Sequence, residues 1–99
     1  MISAILITHN YGKYIQNCLN SILNNHQSNL GEIIIINDSS QDNSEELINN
    51  YLGNSKIKYF YVNFKSLSKS YNFGVKKSKY PFITKIDADD LLEENFFED

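Results

Sequence analysis

Glu32-Ile33-Ile34-Ile35-Ile36-Asn37 sets four consecutive β-branched residues between polar neighbours. A run this apolar has no solvent side, so it reads as a strand buried on both faces, as in a parallel sheet covered by helices. The flanking sequence supplies the rest of that architecture. Upstream, Ile2-Ser3-Ala4-Ile5-Leu6-Ile7-Thr8 is a second β-type run, and between the two, Tyr14, Ile15, Cys18, Leu19, Ile22 and Leu23 recur at helical spacing. Downstream, Asp42-Asn43-Ser44-Glu45 predicts a capping box, opening a helix whose Leu47, Ile48, Tyr51 and Leu52 face inward until Gly53-Asn54 ends it. Ile57–Val62 is expected as a third strand. Leu67, Tyr71, Gly74 and Val75 then keep helical spacing, Gly74 marking close packing, and Pro81 stops that helix before a fourth strand over Phe82–Ile86.

The order is β-α-β-α-β-α-β in one domain, residues 1–99. It implies a Rossmann-like, three-layer α/β fold with a four-stranded parallel sheet and right-handed crossovers. The usual strand order, 3-2-1-4, makes strands 1 and 4 neighbours where the winding reverses, and ligands bind outside the carboxyl ends of strands at that point. Three polar loops fall there: Thr8-His9-Asn10, Asp38-Ser39-Ser40 and Asp87-Ala88-Asp89-Asp90.

With 99 residues, such a chain buries roughly 60–70% of its unfolded surface, enough for a core without staples. Its apolar fraction of 41% and charged fraction of 21% are ordinary for a globular domain, and a net charge of -3 gives no reason to expect a nucleic-acid partner. The charges are nonetheless segregated. From Lys56 to Lys85 every charged residue is lysine, and from Asp87 to Asp99 every one is acidic, which reads as two solvated faces. One cysteine, Cys18, excludes an internal disulfide and favours a cytosolic setting; its place beside Tyr14, Ile15, Leu19 and Ile22 marks a packed thiol. No basic leader precedes the first strand, and no apolar run approaches the ~20 residues that span a bilayer.

Asp87-Ala88-Asp89-Asp90 carries the strongest chemical signal. Two carboxylates ~5 Å apart repel by ~3 kcal/mol at an effective dielectric near 20, so a fold that holds them together needs a cation or raises one pKa. Oxygen ligands without nearby His or Cys suit Mg²⁺ or Mn²⁺, and a cation held by one or two carboxylates usually shares its shell with phosphate. An acidic helix start ahead of Leu91-Leu92 accounts for the isolated string equally well; its place at a strand end on the switch point favours the metal–phosphate reading. No Gly-x-Gly-x-x-Gly or Walker-type loop follows the first strand, which argues against dinucleotide and P-loop binding. His9 stands where it can stack on a flat ring, His26 reads as solvated, and Asp38 can accept from a base or ribose or cap the next turn, its position favouring the first.

Four of these segments together resemble the opening of the family 2 glycosyltransferases, which have a GT-A fold. Thr8-His9-Asn10 with the helix to Leu23 resembles the family's Thr-Tyr-Asn turn and helix; Asn37-Asp38-Ser39-Ser40 resembles its Asp-Asp-Gly-Ser. Ser70-Tyr71-Asn72-Phe73-Gly74 resembles Ala-Arg-Asn-x-Gly, and Asp87-Ala88-Asp89 resembles Asp-x-Asp. The resemblance implies the N-terminal nucleotide-sugar-binding part of an inverting, metal-dependent transferase, moving sugar from a nucleoside-diphosphate donor, expected as a UDP-sugar, to an acceptor hydroxyl. It further implies an acceptor glycan or lipid-linked sugar, a role in cell-surface polysaccharide or glycoconjugate synthesis, and a cytoplasmic protein, free or peripheral at the inner face of the membrane.

Carried over by position, the resemblance implies that Thr8, His9, Asn10 and Asp38 hold the base, with Ile7 and Ala88 also in the nucleotide-sugar site, and that Lys69 and Asn72 lie on the helix bordering the donor pocket. Asp87 would contact the ribose or the metal, and Asp89, with Asp87, would ligate Mn²⁺ or Mg²⁺. Three departures stand out: Asn37 for a common aspartate, Ser39 for a glycine and Tyr71 for an arginine, in a chain without arginine. The family's general base is expected beyond Asp99, where the amphipathic Glu94-Asn95-Phe96-Phe97-Glu98-Asp99 has no stop signal, so the sequence reads as a truncated catalytic domain. Apolar surface around the fourth strand would then favour self-association. Two alternatives are a nucleotidyltransferase, which would show a Gly- and Arg-rich loop after the first strand, and a non-catalytic binding module.

Overall fold

The computed structural model describes residues 1–25, 29–93 and 96–97. The order is β1 (Ile2–Thr8), α1 (Gly12–Leu23), β2 (Leu30–Asp38), α2 (Ser44–Asn49), β3 (Ile57–Val62), α3 (Leu67–Lys77) and β4 (Phe82–Asp87). The strands form one four-stranded sheet in the order β3-β2-β1-β4, and every pairing is parallel. The expected topology and strand direction are therefore observed. His26, Glu94, Asn95, Glu98 and Asp99 lie outside the described residues. Among the described residues no helix is long and apolar enough to cross a membrane.

Period-2 alternation divides the core between two faces. Ala4, Leu6, Ile33, Ile35 and Ile86 turn toward α1 and α2, where Ile15, Cys18, Leu19, Ile22 and Ile48 meet them. Ile5, Ile7, Ile34 and Ile36 turn the other way, with Tyr71, Phe73 and Val75 of α3 packed against them. Ile33 to Ile36 are all fully buried, which accounts for the unbroken apolar run. At Gly74 an added Cβ would lie 2.8 Å from Ile5 Cγ2, so only glycine lets α3 approach the sheet this closely.

Several side chains differ from expectation. Tyr14, Leu52 and Leu67, expected inside, are exposed by 42%, 39% and 56%: Tyr14 and Leu67 sit at the margin of their helices' apolar stripes, and Leu52 lies in the turn beyond the end of α2. α2 ends at Asn49, short of Gly53-Asn54. The capping box does not form: Glu45 instead accepts from the Tyr59 hydroxyl at 2.7 Å. Asp42, the first residue of that box, still caps, accepting from Ser44 N (3.0 Å) with Oδ1 and from Gly12 N (2.9 Å) with Oδ2. One carboxylate thus serves the starts of both α1 and α2.

A second carboxylate ties the amino ends of the strands. Glu32, 1% exposed, accepts from Ser3 Oγ (2.6 Å) and Lys79 N (2.8 Å) on Oε2 and pairs Oε1 with Lys58 Nζ at 2.6 Å. Burial pushes this carboxyl up, but the Lys58, Ser3 and Lys79 donors and the Lys58 charge more than reverse that, holding it below its usual value.

Candidate functional site

Register decides which strand-end side chains share a face. Ile7 pairs with Ile36 on one side and Asp87 on the other, so all three project toward α3; Asp38, two residues beyond Ile36, does likewise. The Asp38 and Asp87 carboxylates therefore leave the same face of the sheet. Thr8 is one residue out of phase and points under α1. It is 1% exposed, its Oγ1 has no partner among the described residues, and it lines no part of the cleft, which corrects its expected place there.

The cleft has two compartments that share Ile7, His9 and Leu67. The larger, about 650 Å³, lies between the ends of β1, β2 and β3 and is lined further by Asn10, Asp38, Ser39, Asn63, Lys65 and Ser66. The smaller, about 390 Å³, adds Tyr11, Asp87, Ala88 and Asp89. Both are of a size that takes small ligands, about 300–1,000 Å³ for typical sites. The structure thus brings Ile7, His9, Asn10, Asp38, Asp87, Ala88 and Asp89 to one divided cleft. Lys69 and Asn72 are exposed farther along α3 and line neither compartment; α3 enters the cleft through Leu67 at its first turn, preceded by Ser66.

Asp38 organises the larger compartment. Its Oδ1 accepts from Lys65 N at 2.9 Å; its Oδ2 accepts from Ser66 N at 3.1 Å and Ser70 Oγ at 2.9 Å. The Ser39 hydroxyl lies 2.9 Å from Asp38 Oδ1 and 2.6 Å from Asn63 Oδ1, and its one proton serves either acceptor. Burial raises the Asp38 pKa, and the donors from Lys65, Ser66, Ser70 and Ser39 together outweigh it, so the carboxyl sits below its usual range. Asp38 therefore caps the following loop as well as facing the cleft.

The β1 loop is held as firmly. His9 Nδ1–H donates to the Asp38 carbonyl at 2.6 Å, and Nε2 accepts from Asn10 Nδ2 at 3.3 Å, which fixes the ring by both edges. Asn10 N donates to Ser40 Oγ (2.9 Å), and Asn10 Oδ1 accepts from Gln41 N (2.7 Å). Among the described residues, the non-glycine positions with positive φ are Asn10 (56°), Ser39 (65°) and Lys65 (52°), and all three line this compartment. Left-handed backbone at a side-chain-bearing residue costs roughly 1 kcal/mol or more and concentrates at functional sites.

In the acidic turn, roles divide by geometry. Asp90 closes the turn: its Oδ2 accepts from Asp87 N (3.2 Å) while its own N–H donates to the Asp87 carbonyl (3.0 Å). Ala88 is fully buried and anchors the turn in the core, leaving Asp87 and Asp89 exposed on either side. Among the described residues no protein donor engages the carboxylate of Asp87 or Asp89. Two such oxygen ligands suit Mg²⁺ or Mn²⁺ in an open shell completed by water and phosphate; His9, which lines the same compartment, has its Nδ1 tied to the Asp38 carbonyl. Cys18 lies behind the turn with its Sγ 3.6 Å from the Asp87 carbonyl. Burial, followed by the charges of Asp90, Asp89 and Asp87, pushes that thiol up to about 12, so it is a packing residue.

The β3–α3 loop was not singled out by sequence, yet it supplies Asn63, Lys65 and Ser66. Its main contribution is backbone N–H, which no side-chain pattern signals; Ser66, an N-cap that accepts from Lys69 N at 3.2 Å, was the one available clue. The three departures also find places. Ser39 is left-handed where glycine would carry no strain; Asn37 is fully buried on the α1 side, donating to Tyr59 Oη at 3.0 Å; Tyr71 packs into the α3 layer.

The family description "Glycosyl transferase family 2" matches residues 3–99. The chain belongs to glycosyltransferase family 2. This family 2 chain is 37% identical over 101 residues to the poly(ribitol-phosphate) beta-N-acetylglucosaminyltransferase TarP of Staphylococcus aureus, across 99% of the chain and 31% of the relative. A crystal structure of S. aureus TarS with UDP-GlcNAc matches 89% of the family 2 chain and covers 26% of the TarS chain, with a TM-score of 0.79 and 25% identity. The mannosyltransferase PcManGT of Pyrobaculum calidifontis, solved with GDP-Man and Mn²⁺, matches in fold with a TM-score of 0.81 at 15% identity, over 89% of this chain and 27% of its own. The chain spans at most about a third of the length of the curated relatives it matches, from 14% to 36%. Its sheet, in the order 3-2-1-4, is the α/β part of a GT-A fold.

Proposed function

We propose that residues 1–99 form the donor-binding part of an inverting, metal-dependent glycosyltransferase that takes its sugar from a nucleoside diphosphate, with a UDP-sugar as the donor. The observation that carries this reading is the pair of exposed, unengaged carboxylates, Asp87 and Asp89, opening onto the cleft that holds the fixed His9 ring. The base occupies the larger compartment against the His9 ring, and the ribose lies toward Asp87. Asp89 and Asp87 would hold Mn²⁺ or Mg²⁺, which when bound supplies Lewis-acid stabilisation of the departing diphosphate. The acceptor, a glycan or lipid-linked sugar of cell-surface polymer synthesis, and the general base that deprotonates it are assigned no residue here. The complexes of TarS with UDP-GlcNAc and of PcManGT with GDP-Man and Mn²⁺ support the donor class and the cation.

Calorimetric titration with UDP in the presence of Mn²⁺ tests the base site. Binding by the native chain is expected, and His9→Ala should weaken it by the ~1–3 kcal/mol typical of a lost base-stacking partner. Unchanged binding by the variant would remove His9 from the site; no binding by the native chain would overturn the reading.

A further inference from the structure

No acidic residue occurs between Lys56 and Lys85, and the fold gathers the lysines of this stretch onto one side. Lys85 pairs in register with Ile5 and Lys58 with Ile34, so both project from the sheet face that α3 covers. On α3 itself Ser70 and Gly74 are buried, whereas Lys69 and Lys76, seven residues or two turns apart, form a stripe on the exposed side. Lys77 Nζ sits 5.4 Å from the Phe73 ring centroid and 5.6 Å from that of Phe60, and Lys79 is exposed just beyond the helix. Among the described residues, Lys69, Lys76, Lys77, Lys79 and Lys85 have no carboxylate partner; Lys58 alone of this face is paired, to the buried Glu32. The acids Asp42, Glu45 and Glu46 belong to the start of α2, on the opposite layer. On the α3 face itself the described acids are the buried Glu32, paired to Lys58, and Asp38 and Asp87 at the carboxyl ends of the strands, so the unpaired lysines of α3 and β4 form a basic patch set apart from them.

We propose that the α3 face is a docking surface for an anionic lipid bilayer. Charge complementarity selects the partner: each lysine near an anionic membrane surface contributes about fivefold in affinity, and the contributions accumulate over a cluster. The same layer carries apolar side chains suited to the headgroup boundary. Phe64, 38% exposed and edge-on to Phe73 at 5.7 Å, and Leu67, 56% exposed, lie at the amino end of α3. Lysine interspersed with aromatic and aliphatic groups fits an interface that is half headgroup and half acyl chain better than the uniformly polar backbone of a nucleic acid. Leu67 also lines both compartments of the cleft, so docking by the lysine patch brings the cleft close to the lipid surface, within reach of a lipid-linked acceptor.

Co-sedimentation of the 99-residue chain with vesicles tests this. Vesicles of phosphatidylcholine with phosphatidylglycerol should pull the chain down at low salt and release it as the Debye length shrinks from ~30 Å toward ~3 Å, while pure phosphatidylcholine vesicles should not. Lys69→Gln combined with Lys76→Gln should lower the affinity by about 25-fold, whereas Lys13→Gln, in α1 on the other layer, should leave it within twofold. Absence of binding to anionic vesicles at low salt, equal losses in both variants, or tighter binding to a short DNA duplex than to the vesicles would overturn the proposal. None of these readouts involves nucleotide or Mn²⁺, so failure here leaves the donor-site reading to its own test.

Discussion

At the scale of single residues, the cleft is built where sequence preference is overruled. Ser39 holds φ at 65°, a conformation glycine adopts freely, and keeps a hydroxyl between Asp38 and Asn63. Two effects of similar size, roughly 1 kcal/mol each, oppose one another here: backbone strain, which glycine would relieve, and the hydrogen bond, which both glycine and alanine would lose. Ser39→Ala keeps the strain and loses the bond, so it should destabilise by ~1–2 kcal/mol. Ser39→Gly should be milder by about 1 kcal/mol, reversing the usual cost of replacing a residue by glycine. Urea midpoints of the three proteins check the order; a glycine variant weaker than the alanine variant would mean that Ser39 is not strained. His9, Asn10, Asp38 and the acidic turn were legible as polar residues at strand ends. Thr8 was misplaced by its period-2 phase, and Lys65 was missed because its strain and its N–H bond to Asp38 leave no mark in composition.

Whole elements were easier to read than their ends. β1 occupies the expected Ile2–Thr8, a continuous apolar run buried on both faces, and β3 occupies the expected Ile57–Val62 as a partly exposed edge strand rich in aromatic and β-branched residues. Helix margins were harder. Tyr14, Leu52 and Leu67 belong to the helical pattern yet reach solvent, and Asp42 caps α2 through an i to i+2 bond while Glu45 turns to Tyr59 instead of closing the expected box. The amino ends of the strands depend instead on Glu32, which sequence alone left unremarked within a strand. Because its folded pKa lies below the ordinary value of 4.5, its stabilising contribution is present above about pH 4.5 and is lost as pH falls through the lowered folded value. Asp38 and Asp42 are depressed in the same direction from an ordinary 3.8, so their contributions are lost at somewhat lower pH, below about 3.8. The native chain should therefore lose stability steeply on acidification below about pH 4.5. Glu32→Gln should be less stable near neutrality, since Lys58 loses its partner, and its stability should fall less with acid. Denaturant unfolding at a series of pH values checks this; parallel curves for the two proteins would show that Glu32 is not the group titrating.

For the molecule as a whole, the sheet order β3-β2-β1-β4 explains why chemistry collects at one end. Crossovers that wind one way over α1 and α2 and return over α3 leave a crevice between β1 and β4 that bears the unengaged Asp87 and Asp89, beside a larger compartment lined by the left-handed positions Asn10, Ser39 and Lys65 among the described residues. The same arrangement turns lysines outward on the α3 layer and leaves Met1, Phe82 and Leu91 exposed by 58%, 66% and 69%. Topology was legible from hydrophobic period alone, and the acidic turn from its place after a buried strand. The hydrogen bonds that join the β2 end to the β3–α3 loop arise only from three-dimensional packing. Donor binding at this crevice makes one demand above others: an open site with one or two carboxylates should hold a divalent cation weakly alone and more tightly once a diphosphate adds oxygens. Cation and nucleotide must then raise each other's affinity by the same factor. Titration of Mn²⁺ by paramagnetic relaxation, with and without UDP, measures that factor directly in the native chain and in Asp89→Asn. The expected result is Mn²⁺ affinity at least fivefold higher with UDP than without, as for a coupling of ~1 kcal/mol or more, and loss of both binding and coupling in the variant. Equal Mn²⁺ affinity with and without UDP, or an Asp89→Asn protein that binds like the native one, would contradict it and return the acidic turn to a helix-start role.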